Sequence, residues 1–208
     1  MIRSLVRTAA LLLVAATPAV AQVHIKGAAT GLSSSFVTLD FNAILLANNT
    51  VITNQAGNGV VFEHAIYGGV PQFGGAVFST PAIYNFTALF DENENLVISF
   101  TTPVTGAAFN LMTHQGTTLF EAFLGVTKVT EFEHATDGLA QSSLLYWGFE
   151  DYEFDRIVIT SSAEQGKAIG IDNLQVANQV VPEPGSMYLL GVGLGALMLA
   201  ARRRRILR

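Results

Sequence analysis

The chain has 208 residues, among them 11 Lys and Arg, 16 Asp and Glu, and no cysteine. That length suits one ordinary domain with appendages, and the lack of cysteine excludes disulfide scaffolds, thiolate metal sites and cysteine nucleophiles. Charge is segregated: between Gln22 and Val181 lie fifteen of the acids against Lys26, Lys128, Arg156 and Lys167, a net charge of −11, while both ends are basic. An acidic body argues against nucleic acid as a partner, because phosphate binding needs a positive field.

Residues 1–21 have the pattern of a secretory signal peptide. Arg3 and Arg7 give a basic start, Leu11 to Ala16 an apolar run too short to span a bilayer, and Pro18 a helix break. Ala19 and Ala21 place small residues at the two positions a signal peptidase reads, so cleavage is predicted before Gln22.

Residues 22–180 show no long stretch of helical periodicity. Short runs rich in Val, Ile, Phe and Thr are bounded instead by Gly, Asn, Asp and Pro. In chain order the predicted strands are Ser35–Phe41, Gly59–Ile66, Leu96–Thr101, Ala107–Thr113, Thr118–Leu124, Val126–Glu133, Leu144–Phe149, Phe154–Thr160 and Ala168–Val176. Such spacing predicts an all-β fold, an antiparallel β-sandwich or jelly roll. The connections are too short for the crossover helices of a parallel sheet.

The chemistry-bearing residues of this segment are few. Neither G-x-S-x-G, H-E-x-x-H nor a phosphate-binding G-x-x-x-x-G-K-[ST] occurs. Glu63-His64 and Glu133-His134 are two Glu-His pairs, but on strands neighbouring side chains point to opposite faces, so each pair offers a site one ligand. Asp91, Asn93 and Asn95 begin like an EF-hand loop, yet Leu96 and Thr102 stand where Gly and Glu are needed, and a solvated hairpin loop is expected. Glu150, Asp151, Glu153 and Asp155 form an acidic cluster, expected in a solvated loop. Of Tyr146 and Trp147, the only tryptophan, one faces inward and the other outward if they share a strand.

The C-terminal 28 residues have three parts. Val181, Pro182, Glu183 and Pro184 stop regular structure. Ser186 to Ala201 carry no charge, and as a helix would extend about 24 Å at ~1.5 Å per residue, with the arginines beyond able to snorkel. Arg202, Arg203, Arg204 and Arg205 would stay on the cytoplasmic side and leave the acidic domain outside. This order resembles the PEP-CTERM protein-sorting signal of Gram-negative bacteria. The resemblance implies recognition by an exosortase, removal of the tail near Pro182–Pro184, and a product associated with exopolysaccharide and biofilm matrix.

The middle segment is similar to ectodomains found upstream of such tails. The residues carrying the likeness are Asn49–Gln55 before Gly57–Phe62, Val97–Thr105, and Phe154–Ile159 before Ile169–Leu174. It implies a lectin-like or carbohydrate-binding-like β-sandwich. In calcium-binding jelly rolls that this ending resembles, an Asp at the position of Asp172 joins ligands from the N-terminal strand, here Asp40 and Asn42. The alternative is that Asp172 caps a strand turn. Together these readings predict a non-enzymatic protein, processed by signal peptidase and exosortase, held transiently in the inner membrane, and released to the outer surface or matrix. A carbohydrate-binding module for exopolysaccharide and a secreted hydrolase with unrecognised carboxylates are the alternatives.

Overall fold

A computed structural model describes residues 21–33, 36–68, 80–85, 95–113, 115–136, 145–162 and 168–178. The predicted signal peptide through residue 20, the sorting tail with Val181–Pro184 and Arg202–Arg205, and Asp91 and Asn93 lie outside them. By contacts the chain divides into Met1–Ala177 and Asn178–Arg208. All regular structure among the described residues is β, in eleven strands: β1 Val23–Ala28, β2 Val37–Leu39, β3 Thr50–Val51, β4 Val60–Glu63, β5 Ile66–Gly68, β6 Ala82–Tyr84, β7 Leu96–Thr113, β8 Gly116–Leu124, β9 Thr127–Thr136, β10 Tyr146–Ser161 and β11 Ile169–Asn178.

Two long strands, β7 and β10, organise the whole. Tyr146–Glu150 of β10 pairs β1 on one side and Gly106–Asn110 of β7 on the other, whereas Arg156–Ser161 pairs β8 and Arg156–Ile159 also pairs Leu96–Ser99 of β7. One layer therefore runs β1, β10, β7, β11, β6, β5, β3, with β2 on β11; the other runs β4, β7, β10, β8, β9. Each long strand passes from one layer to the other through a bend. On β10 the bend carries two register shifts around Phe154 and a left-handed Asp151 (φ 63°). On β7 the exposed stretch Thr101–Pro103 makes it, which is how a strand tolerates a proline that donates no ladder hydrogen bond. Bulges bend strands and raise their twist, as a corner between layers requires.

The layers close on aromatic rings. In β8 the alternation is plain: Thr118, Phe120 and Ala122 are buried between the more exposed Thr117, Leu119, Glu121 and Phe123. Phe120 stacks on Trp147 (5.7 Å, 2°) and on Phe132 (4.6 Å, 15°), joining the two layers. Phe149 meets Phe132 and Phe154 edge-on. Burying one such ring stabilises the fold by about 1.5–3 kcal/mol, which explains how a cysteine-free domain holds together.

The expected antiparallel sandwich is what forms, with differences in its parts. Two pairs of predicted strands, Leu96–Thr101 with Ala107–Thr113 and Leu144–Phe149 with Phe154–Thr160, fuse into β7 and β10. The acidic cluster expected in a loop lies on β10 instead. There Glu150 is buried, its Oε1 accepting from Ser33 N (2.7 Å) and Ser33 Oγ (2.8 Å), while Asp155 Oδ2 accepts from Gly125 N (2.9 Å). Strands β1, β3 and β6 are additions.

Candidate functional site

Two polar assemblies stand out, one on β11 and one at the side of the sandwich where β1 and β9 end their layers.

On β11, Asp172 is buried, 2% exposed. Its Oδ2 accepts from Thr80 Oγ1 (2.6 Å) and its Oδ1 from Asn173 N (2.7 Å). Asn173 takes a left-handed backbone (φ 49°), a conformation Asn tolerates because its short polar side chain bonds locally. That side chain continues the network, Nδ2 donating to Asn110 Oδ1 (2.8 Å), and Asn110 Nδ2 donates to the Leu145 carbonyl (3.3 Å).

Pairing of Leu39 with Leu174 brings Asp40 to the same end of β11. Burial raises the Asp172 carboxyl above its usual range, and the charge of Asp40 raises it further against the pull of the two hydrogen bonds. Tyr84, fully buried, is pushed up to about 12 by burial and then by the Asp172 charge. Of the three residues expected to hold calcium, the structure thus draws Asp40 and Asp172 together. Asn42 is exposed and its backbone N donates to Asp40 Oδ1 (3.2 Å). Thr80 is a fourth oxygen that the sequence did not single out. Carboxylates, a hydroxyl and an amide are the hard donors calcium takes. Among the described residues no three His, Asp or Glu side chains cluster to hold a metal by themselves, so main-chain oxygens would have to complete the set.

The second assembly begins on β1, which is covered on both faces. Ile25 is buried in a small apolar cluster with Leu32, Ala108 and Ala177, while on the other face His24 and the exposed Lys26 reach toward the opposite layer. Register sets His24 beside Phe149 and Lys26 beside Trp147. Facing them, β9 presents Thr130, Phe132 and His134, paired to Ala122, Phe120 and Thr118 of β8.

At one end this seam is saturated. His24 Nε2 meets Thr130 Oγ1 (2.8 Å) and Tyr152 Oη (3.1 Å), and its ring stacks on Tyr152 (5.5 Å, 9°). Burial, then the charge of Lys26, lowers the His24 pKa below 6.5, which keeps the imidazole neutral at pH 7. At the other end the His134 ring packs on Trp147 (4.6 Å). Both Trp147 Nε1 and Thr118 Oγ1 are buried there without a hydrogen-bond partner among the described residues. Trp147 is thus an inward-facing core residue, 3% exposed, rather than a platform on the surface.

The other residues singled out from the sequence are scattered. Ala21 and Gln22 are exposed ahead of β1, and Ala19 is outside the described residues. Glu63 and Glu133 are exposed on different strands, and His64 sits at a left-handed turn (φ 56°). His24, Lys26, Thr118 and Thr80 were not flagged; the only signal for the first two was polar residues at alternate positions of a short strand.

Residues 180–205 match the PEP-CTERM protein-sorting motif. No curated protein matches the chain. Among solved structures, the chain is similar to a mutant of a family 29 carbohydrate-binding module, at 15% identity over 72% of this chain and 98% of that one, TM-score 0.39. It is also similar to a family 32 carbohydrate-binding module of a family 31 glycoside hydrolase from Clostridium perfringens, at 12% identity over 47% and 75%, TM-score 0.33. A third is the catalytic domain of a family 87 α-1,3-glucanase, at 11% identity, covering 74% of this chain and 30% of that one, TM-score 0.35.

Proposed function

We propose that the chain is an exported, non-catalytic β-sandwich protein that an exosortase sorts to the outer surface or the extracellular matrix, where it contributes to exopolysaccharide or biofilm structure. The observation that carries this reading is the sorting motif over residues 180–205, placed after an acidic, cysteine-free domain suited to persist outside the cell. Net charge keeps such a domain soluble, and no thiol is present to oxidise.

The densest carboxylates support a non-catalytic role. Glu150 is tied to Ser33 and Asp155 to the turn at Gly125, so the cluster is parcelled out to different elements. A glycosidase needs two carboxyls opposed across one cleft. Intact-mass measurement of the secreted protein tests the sorting. The expected product lacks Arg202–Arg205; recovery of a C-terminus running through Arg208 would overturn the proposal.

A further inference from the structure

We propose that the end of the β1–β9 seam formed by Lys26, Thr118, His134 and Trp147 is a binding site for a carboxylate-bearing sugar, a uronate unit. Three observations converge on it. The first is hydrogen-bond demand. Trp147 Nε1 and Thr118 Oγ1 are both buried and both unpartnered, although a buried polar group left unsatisfied costs about 1–3 kcal/mol. They flank one residue: Thr118 is the direct register partner of His134, whose ring lies on Trp147. Along the same seam the His24 end satisfies its polar groups; the remaining buried unpartnered side-chain atom among the described residues, Arg156 Nε, lies on the other half of β10.

The second observation is the sign of the site. An indole N–H only donates, and a lysine ammonium only donates. Lys26 sits beside Trp147 in the β1–β10 register with its ammonium over the Phe132 ring (5.1 Å), and no carboxylate pairs with it among the described residues. In a domain of net charge −11 this is a cationic, donor-rich spot. It calls for a ligand that supplies acceptors, one of them anionic. Thr118 and His134 can each donate or accept, which suits the hydroxyls of a sugar rather than a bare anion.

The third observation is access. Strand β1 breaks register between Lys26 and Ala28 at Gly27, which takes a left-handed backbone (φ 64°). A Cβ at Gly27 would lie 3.3 Å from the Trp147 ring and 3.6 Å from Leu145 Cδ1, so the glycine keeps one further side chain off an indole that is itself 3% exposed. Bulges at sheet edges recur where a strand must yield to a ligand. Lys26 is exposed and His134 half-buried, while Trp147 Nε1 and Thr118 Oγ1 lie behind them without solvent contact, so a ligand reaches the two buried groups as the Lys26 and His134 side chains swing aside.

Trp147 is the only tryptophan in the chain, so its emission reports this site alone. The test titrates the full-length protein with sodium glucuronate, with glucose and with sodium acetate. Glucuronate is expected to change the emission saturably, with the neutral sugar and the bare carboxylate at least about tenfold weaker, since a hydrogen bond to a charged group is worth roughly that factor. Lys26→Gln and Thr118→Val should each weaken glucuronate about tenfold. Thr118→Val should leave the melting temperature unchanged or raised, because it deletes an unsatisfied hydroxyl while keeping the shape.

No response to glucuronate would mean that the two buried groups hold only water, and would overturn the proposal. Equal responses to glucose or to acetate would overturn the uronate assignment. A lower melting temperature in Thr118→Val with unchanged glucuronate binding would make the hydroxyl structural and refute its role. The inference stands on the domain alone: failure of C-terminal processing would leave glucuronate binding intact, and loss of binding would leave processing intact.

Discussion

Replacing Asp172 with Asn, in the presence and absence of calcium, separates two consequences of one buried carboxylate. Without a cation, the native state holds the Asp172 proton more tightly than the unfolded chain does, because burial raises its pKa and Asp40 adds to the rise. The sign follows from linkage: stability falls as pH rises from the ordinary carboxylate value of 3.8 through the raised one, and at pH 7 the ionised group is a net cost. Asp172→Asn removes that charge and keeps an oxygen for Asn173 N and an amide for Thr80, so in chelator the variant should melt at or above the parent.

Calcium held at Asp172 and Asp40 would reverse the comparison. An ion binding only the folded state at one hundred times its Kd adds about 2.7 kcal/mol. For a domain of this size that is roughly 5–11 °C of melting temperature at ~2–4 °C per kcal/mol. The parent should gain that increment on moving from chelator to calcium, and Asp172→Asn should gain none. Differential scanning fluorimetry at pH 7 reads all four conditions. Identical parent melts in calcium and chelator would remove the ion. A variant melting well below the parent in chelator would refute the reasoning that burial makes this charge costly.

Other expectations follow from packing and titration. Phe120→Ala removes the ring sandwiched between Trp147 and Phe132 and should cost about 3–5 kcal/mol in urea unfolding, with a red-shifted Trp147 emission. Gly148→Ala should prevent folding, because the added Cβ would overlap the Ala107 carbonyl oxygen and lie 2.8 Å from Ala108 Cα, both on the backbone of the neighbouring strand; a normal circular dichroism spectrum for purified Gly148→Ala would contradict the β7–β10 register. Since His24 has a pKa held below 6.5 in the fold, its contribution is present at neutral pH and is lost as pH falls from 6.5 through the lowered value. Melting temperatures of the parent and His24→Gln should therefore converge between pH 7 and pH 5, and a constant gap would exclude His24 as the cause.

The architecture was legible where one side of a strand is buried and the other wet. Thr118, Phe120 and Ala122 against Thr117, Leu119 and Glu121 is a pattern of period two, and β8 and β9 fall close to their predicted places. It was not legible where strands are buried on both sides or bend. Ala107–Thr113 is buried throughout, Asn110 and Thr113 included, so it shows no alternation, and Pro103 reads as an end although β7 continues past it. The run from Glu150 to Asp155 is charged enough to pass for a loop, but the charges are distributed by a bulge: Glu150 goes to Ser33 and Asp155 to Gly125. Strand β1 escaped because its inward residues are His24 and Lys26, which local periodicity reads as a solvent face. Asp40 and Asp172 could be paired in advance only through the resemblance. Nothing in the spacing announces Thr80, whose closeness to Asp172 spans 92 residues of chain.

The seam between β1 and β9 explains why a fold with so large an aromatic core keeps polar groups inside it. Edge strands expose unpaired backbone groups and invite pairing with other chains. On β9 the exposed side chains of Lys128, Glu131 and Glu133 are charged, Lys128 pairing with Glu131. Charged side chains along an edge strand discourage pairing with another chain. On β1 the corresponding device is turned inward: His24 and Lys26 occupy positions where apolar residues would have closed the sandwich completely. At the His24 end the substitution is neutralised by Thr130 and Tyr152. At the Trp147 end it is not, and two buried groups forgo about 1–3 kcal/mol each. A sandwich selected for stability alone would place Val at position 118 and a partner beside the indole. Retaining the unsatisfied pair beside Lys26, an ammonium with no carboxylate partner among the described residues, is coherent if the missing acceptors arrive with a ligand.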